Sequence, residues 1–244
     1  MINTTGKIGL ITGANKGIGY EVARQLAALG HTILIGARNW ILGEEAAAKL
    51  AAEDLDVHYI PIDLDNSATI AAAAHKIDAD FGRLDILINN AGIAAPGDGS
   101  PSATSLETLE RDFRVNFIGT VAVTQAMLPL LRKAQSARIV NVSSGLGSLT
   151  KTGDRAFEFV ANKYLGYAAS KAALNMLTVQ LAHELRDTAI KVNSADPGYT
   201  ATDLNQHRGP QTVAEGSVEI VRLAQLPDDG PTGGFSNRHG IVPW

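Results

Sequence analysis

Ile8-Gly-Leu-Ile-Thr12, followed at once by Gly13-Ala-Asn-Lys-Gly-Ile-Gly19, is the stretch that decides the fold. The five uncharged residues read as a buried strand, and the apolar spacing from Ile18 to Leu29 reads as a helix, so the glycines fall in the turn between them. Glycines at 13, 17 and 19 allow a tight turn, close backbone approach to a pyrophosphate and tight helix packing, with the helix N-terminus facing the anion. Three glycines also serve a purely structural turn. The strand, loop and helix context is what a phosphate-binding reading of such a loop requires.

Outward from this unit the same alternation repeats. Strands are predicted at Ile8–Thr12, Thr32–Gly36, Val57–Ile62, Ile86–Asn89, Arg138–Ser143, Lys191–Ala195 and His239–Val242. Crossover helices are predicted at Ile18–Leu29, Gly43–Glu53, Ser67–Phe81, Ser105–Lys133 and Asn162–Asp187, with Asn162 to Leu185 reading as one helix. Near-continuous apolar strands separated by helices indicate a parallel sheet covered on both faces. The expectation is α/β: a single doubly wound Rossmann-type domain over residues 1–244, with about seven parallel strands. Ala94–Thr104 and Asp228–Gly234 read as short surface loops rather than linkers.

Composition narrows the classes. The chain has 244 residues, 45% of them hydrophobic, a formal net charge of −4 and no cysteine. Disulfides, thiolate nucleophiles and cysteine-based zinc sites are excluded. There is no basic run for a nucleic acid and no stretch of about 18 apolar residues for a membrane. The N-terminus lacks the pattern of a signal peptide, so a cytoplasmic location is expected. The six histidines show no metal-ligand spacing and no serine sits in a G-x-S-x-G elbow, so neither a metal centre nor a hydrolase of that type is expected.

The second strand ends at Gly36-Ala-Arg-Asn39. A protein using NAD would carry an acid there for the ribose 2′-hydroxyl, and none is present. Arg38, with Lys16 from the glycine loop, instead supplies positive charge for a 2′-phosphate, which favours NADP(H). Both residues would look the same as ordinary surface cations. Trp40 has no evident role. Farther along, Tyr167 and Lys171 are four residues apart, so on a helix they share one face, one turn apart. An ammonium held beside a phenol favours the phenolate. A packed ring beside a solvated charge has the same spacing.

Taken together, the chain resembles the short-chain dehydrogenases/reductases along nearly its whole length, most of all their NADPH-dependent carbonyl reductases. Gly13-Ala-Asn-Lys-Gly-Ile-Gly19 is similar to the family's cofactor loop, Asn89-Asn-Ala-Gly92 to its signature after the fourth strand, and Tyr167-x-x-x-Lys171 to its catalytic motif. The resemblance implies a cofactor site made of Gly13, Asn15, Lys16, Gly17, Ile18, Gly19, Arg38, Asp63, Leu64, Asn90, Ala91 and Gly92, with Tyr167, Lys171, Pro197, Gly198, Thr200 and Thr202 at the nicotinamide end. It implies a catalytic set in which Ser144 holds the substrate carbonyl, Tyr167 is the general acid/base, Lys171 supports it and Asn116 relays protons, with Ser143 nearer the cofactor.

Gly145 to Gly166, containing Lys151, Phe157 and Phe159, is longer than the family's common version and is expected to shape the substrate pocket. Tyr199 to Pro210 resembles a mobile substrate loop. The C-terminal Trp244 is expected either to close the core or to meet a partner subunit. The implied activity is hydride transfer between NADPH and a ketone or aldehyde. An NAD-preferring alcohol dehydrogenase and a non-catalytic NADP-binding regulator are the alternatives. The partner is a small carbonyl substrate or alcohol product, and the oligomeric state is open, monomer or homo-oligomer.

Overall fold

The computed structural model describes residues 6–157 and 164–244. The strands are β1 (Ile8–Thr12), β2 (Thr32–Ala37), β3 (Val57–Pro61), β4 (Ile86–Asn89), β5 (Ala137–Val142), β6 (Ile190–Ala195), β7 (Phe235–Asn237) and β8 (Gly240–Ile241). The helices are α1 (Gly17–Ala28), α2 (Trp40–Ala51), α3 (Ser67–Phe81), α4 (Leu106–Phe113), α5 (Thr120–Leu131), α6 (Leu149–Gly153), α7 (Leu165–Glu184) and α8 (Val213–Ala224).

The strands form one sheet in the order β3-β2-β1-β4-β5-β6-β7-β8. All pairs are parallel except β7 with β8, a two-residue return that adds an eighth strand to the seven expected. The predicted terminal strand at His239–Val242 corresponds to β8, and β7 is a strand the sequence reading did not place.

Successive residues of a strand face opposite sides, and here both sides are apolar. Ile8 and Leu10 of β1 and Leu34 of β2 face a layer made by α3, α5 and α7, through Ile77, Val123, Met127 and Leu181. Ile11, Ile33 and Ile35 face the other layer, made by α1, α2 and α8 through Val22, Leu26, Leu50, Ile220 and Leu223. Burying one such side chain contributes about 1.5–3 kcal/mol, so the two layers dominate the stability of the sheet. The chain order reverses between β1 and β4. In open α/β sheets the crevice beyond the strand ends at that reversal is where ligands bind.

Three expectations change. Ser105–Lys133 is not one helix: α4 passes into a π-helical segment, Arg114–Gly119, before α5 begins. The loop Ala94–Thr104 is tied into the interior at Ala95, which is buried. In the long segment before Tyr167, the start of the predicted helix at Asn162, together with Phe159, lies outside the described residues, and α7 begins at Leu165.

Leu106–Leu131 is long and apolar enough to cross a membrane by length and composition. Here the stretch is divided among α4, the π-helical segment and α5 and belongs to the core, placing Val123, Met127, Leu130 and Leu131 against the sheet and burying Asp112 and Asn116. At the C-terminus the Trp244 ring stacks on Phe235 with centroids 5.4 Å apart, and Val242 is buried. Trp40 opens α2 behind the capping Asn39 and is 67% exposed, for which nothing in the structure gives a reason.

Candidate active site

The crevice is built first by the glycine loop. Gly13 adopts φ of +65°, and a Cβ there would lie 2.9 Å from the Cα of Ala91. A Cβ on Gly19 would lie 2.5 Å from Nδ2 of Asn90. Only glycine fits either position, because β4 delivers Asn90 and Ala91 directly against the loop. The Asn90 amide donates to the carbonyls of Thr12 and Gly13 at 2.9 and 3.2 Å. Thr12 Oγ1 accepts from the backbone of Asn90 and Ala91. Asn90 therefore braces the loop as well as lining the crevice, and Thr12 joins it, a residue the sequence reading did not single out.

Asn15, Gly17 and Ile18 complete the turn into α1, and Thr202 stands over Gly17, with its Cγ2 3.7 Å from the position of a Cβ there. Thr200 is buried and donates to the Pro197 carbonyl at 3.0 Å, while Gly198, at φ of +72°, donates its N–H to Asp196. The far end of the crevice is thereby folded back over its beginning. Arg38, exposed at the end of β2, makes no ion pair among the described residues. Lys16 pairs with Asp203 of the 199–210 segment at 2.5 Å. Asp63 turns the chain after β3, accepting from Asp65 N–H, and Leu64 packs against Gly119. A glycine cradle at a helix N-terminus, flanked by two cations, fits a phosphorylated dinucleotide. Arg38, Lys16 and the loop amides would hold its phosphates, and Asp63, Leu64 and Asn90-Ala-Gly92 its adenosine side.

The second half of the site rises from β5 and α7. Ser144 follows β5 in extended backbone, its hydroxyl accepting from Leu146 N–H at 3.2 Å and standing beside the Tyr167 phenol. Ser143 is buried and donates to the carbonyl of Lys171. Lys171 is 4% exposed; its Nζ donates to the Val142 carbonyl at 2.8 Å and lies 5.7 Å from the centroid of the Tyr167 ring. Tyr167 and Lys171 thus share one face of α7, as their spacing predicts, and that face looks onto the end of β5.

The electrostatics differ from the expectation that Lys171 favours the phenolate. Burial pushes the Tyr167 phenol up to about 12, with the neighbouring Ser144 hydroxyl offsetting part of the rise and Asp196 and Asp112 adding to it. Burial also brings the Lys171 ammonium down to about 8, with Asp112 opposing that fall. Desolvation penalises the charged form of each group and is the largest cause of both shifts. The site holds a neutral phenol that can give a proton.

Asn116 sits in the π-helical segment, fully buried. Its side chain grips the Ile93 backbone from both sides, at 2.8 and 2.9 Å, and donates to Ser170 Oγ at 2.9 Å. Ser170 Oγ in turn donates to the Tyr167 carbonyl. π-bulges often mark functional positions, and this one lets one side chain connect the β4 loop with α7. The sequence reading missed Ser170, Asp98, Asp112 and Asp196 around the same residues. Asp112 is buried with one oxygen accepting from Ala95 N–H and the other without a partner among the described residues, and burial raises its carboxyl.

The extended segment before Tyr167 carries α6. Ser148 caps it and donates to the Pro243 carbonyl at 2.6 Å, while Thr150 N–H donates to the Trp244 carbonyl. Lys151 stands over the Phe157 ring at 4.8 Å. Its ammonium and an Asp196 oxygen each lie 3.2 Å from the position of a Cβ on Gly145, next to Ser144. Residues 145–157 therefore border Ser144.

Residues 7–212 match the family model described as short chain dehydrogenase. The chain is 31% identical to the (+)-neomenthol dehydrogenase of Capsicum annuum over 98% of each chain, and 31% identical to the salutaridine reductase of Papaver somniferum over 95% of this chain and 94% of that one. Among solved structures it superposes on an NADPH-bound carbonyl reductase from chicken fatty liver with a TM-score of 0.85, at 29% identity over 99% of this chain and 100% of that one.

Proposed function

The chain belongs to the short-chain dehydrogenase family and is an oxidoreductase of that family, and on that premise we propose that it is an NADPH-dependent carbonyl reductase, converting a ketone or aldehyde to an alcohol in the cytoplasm. The observation that carries this reading is the placement of the Tyr167 phenol beside Ser144 at the end of β5, one helical turn from the buried Lys171, at the C-terminal edge of the sheet.

NADPH, when bound, supplies the hydride that reaches the carbonyl carbon. Ser144 holds the carbonyl oxygen by hydrogen bonding, which stabilises the negative charge that grows there. Tyr167 gives its phenolic proton to that oxygen, completing the alcohol. The phenolate left behind is balanced by the Lys171 ammonium, and Asn116, through Ser170, keeps the turn between them in place. Run in the other direction, the same groups take the proton back.

Preference for NADPH over NADH is supported by Arg38 and Lys16 and by the absence of an acid at the end of β2. NADP and NADPH appear in the descriptions of structural relatives, a Burkholderia cenocepacia gluconate 5-dehydrogenase in complex with NADP and tartrate among them. The test is loss of NADPH absorbance, with NADH in parallel, against aromatic ketones, keto esters and aldehydes. Turnover with NADPH at least about tenfold more efficient, a difference of about 1.4 kcal/mol, is expected. Equal or better turnover with NADH would support the alcohol dehydrogenase alternative. Tight NADPH binding with no turnover of any substrate would instead favour the regulatory one.

A further inference from the structure

The helix that carries Tyr167 and Lys171 has no cap of its own. Tyr164, at the N-cap position of α7, makes no side-chain cap hydrogen bond. The first N–H groups of any helix lack partners within it, and at a buried end they must find them elsewhere. In α7 all three come from a loop more than sixty residues away in sequence. Leu165 N–H donates to the Gly99 carbonyl at 3.1 Å. Gly166 N–H donates to Oδ1 of Asp98 and Tyr167 N–H to Oδ2 of the same carboxylate, both at 2.9 Å. From Ala168 onward the amides are satisfied inside the helix.

The loop that supplies this cap is itself fixed at both ends. Asn116 grips Ile93, Asp112 accepts from Ala95 N–H, and Asp98 N–H donates to the Ala95 carbonyl. Beyond the cap, Gly99 N–H donates to Asp98 Oδ1 and Thr104 Oγ1. A carboxylate at a helix N-terminus is also favoured by the helix dipole.

We propose that Asp98 is a positioning residue for Tyr167: its carboxylate, bonded to the Gly166 and Tyr167 amides, sets the height and tilt of the first turn of α7 and so the place of the phenol relative to Ser144. Asp98 touches neither substrate nor cofactor; it acts through the backbone of the residue that gives the proton. The consequence for catalysis rests on the reductase function proposed above, while the capping geometry does not.

The experiment uses Asp98→Ala and Asp98→Asn in the full chain, with Ile77→Val in α3 as a control for general loss of stability, since Ile77 is fully buried far from the loop. Three quantities are measured: kcat with a saturating carbonyl substrate, the Kd for NADPH by fluorescence, and hydrogen exchange of the peptide spanning residues 164–170. Misplacing a reacting group by about 1 Å costs on the order of 10²-fold. For Asp98→Ala we therefore expect kcat to fall between about tenfold and a hundredfold, with Kd for NADPH within about twofold of wild type and faster exchange at residues 165–168. Asp98→Asn keeps one acceptor and should fall between wild type and alanine. Ile77→Val should lower the melting temperature without changing kcat.

An Asp98→Ala enzyme with wild-type kcat would overturn the proposal, as would a loss of kcat matched by Ile77→Val at equal loss of melting temperature. Should wild type itself reduce no carbonyl, the proposed function fails separately, and the exchange measurement decides the positioning role: unchanged protection of the first turn would overturn it.

Discussion

The Lys16 ammonium lies 2.5 Å from Oδ2 of Asp203, joining the glycine loop to the 199–210 segment across the mouth of the crevice. Asp203 also accepts from His207 at 2.8 Å, and the neighbouring Gln206 and His207 both adopt positive φ. A 2′-phosphate arriving at Lys16 meets a carboxylate already there. Both partners are solvent-exposed, and an exposed pair of this kind is worth little. Asp203→Asn is therefore expected to tighten NADPH binding modestly, by about two- to fivefold, and to leave NADH binding unchanged. A fluorescence titration with both cofactors checks it, and the gain should shrink at high salt.

The pH dependence follows from Lys171 and Tyr167. Lys171 is brought down to about 8, so its ammonium, the partner of the phenolate, is lost as pH rises through that value. Tyr167 stays protonated to about 12 and sets no limit below it. For reduction, kcat/KM should hold level through neutrality and fall above about pH 8, and Lys171→Arg, whose charge persists, should remove that limb while lowering the plateau. The stability effect has the opposite sense. Between about 8 and 10.5 the folded chain holds fewer protons at this residue than the unfolded one, so the cost of burying the charge is fully present below about 8 and is relieved as pH rises. A pH–rate profile with a basic limb near 10.5 would contradict the assignment.

Asp112 supplies a stability prediction of its own. Its carboxyl is raised by burial, and one of its oxygens has no partner among the described residues. The folded state holds the proton at pH values where the unfolded chain has released it, so this residue's contribution falls as pH rises from the ordinary carboxyl value through the raised one. Asp112→Asn keeps an oxygen for the Ala95 N–H and removes the charge. It is expected to stabilise the protein at pH 7 by about 1 kcal/mol, or about 2–4 °C in melting temperature, and to make no difference in acid. Thermal melts at two pH values test this.

How far the sequence carried the fold depended on whether the signal was local. The apolar strands and the glycine loop are local patterns, and β1, β4 and α3 begin and end where the periodicity places them. Tyr167 and Lys171 share a helix face because a four-residue spacing allows little else. The break at Arg114–Gly119 left no mark, since the apolar pattern runs through it and its cause is the grip of Asn116 on a distant loop. Asp98 was equally hidden. Within Pro96-Gly-Asp-Gly99 it reads as a turn residue, and its partners lie 68 and 69 positions later. The rise of the Tyr167 phenol was hidden for a related reason: the lysine is visible in the sequence, whereas desolvation exists only once the chain is packed.

The most direct measurement is turnover of NADPH with a carbonyl substrate by Tyr167→Phe beside wild type. The substitution removes one hydroxyl, keeps the ring and leaves the Asp98 bonds to the backbone intact. Loss of a positioned general acid costs about 10²- to 10⁴-fold, so kcat should fall by at least about a hundredfold while NADPH still binds. A variant that binds NADPH and keeps wild-type turnover would contradict the account of Tyr167 as the proton donor.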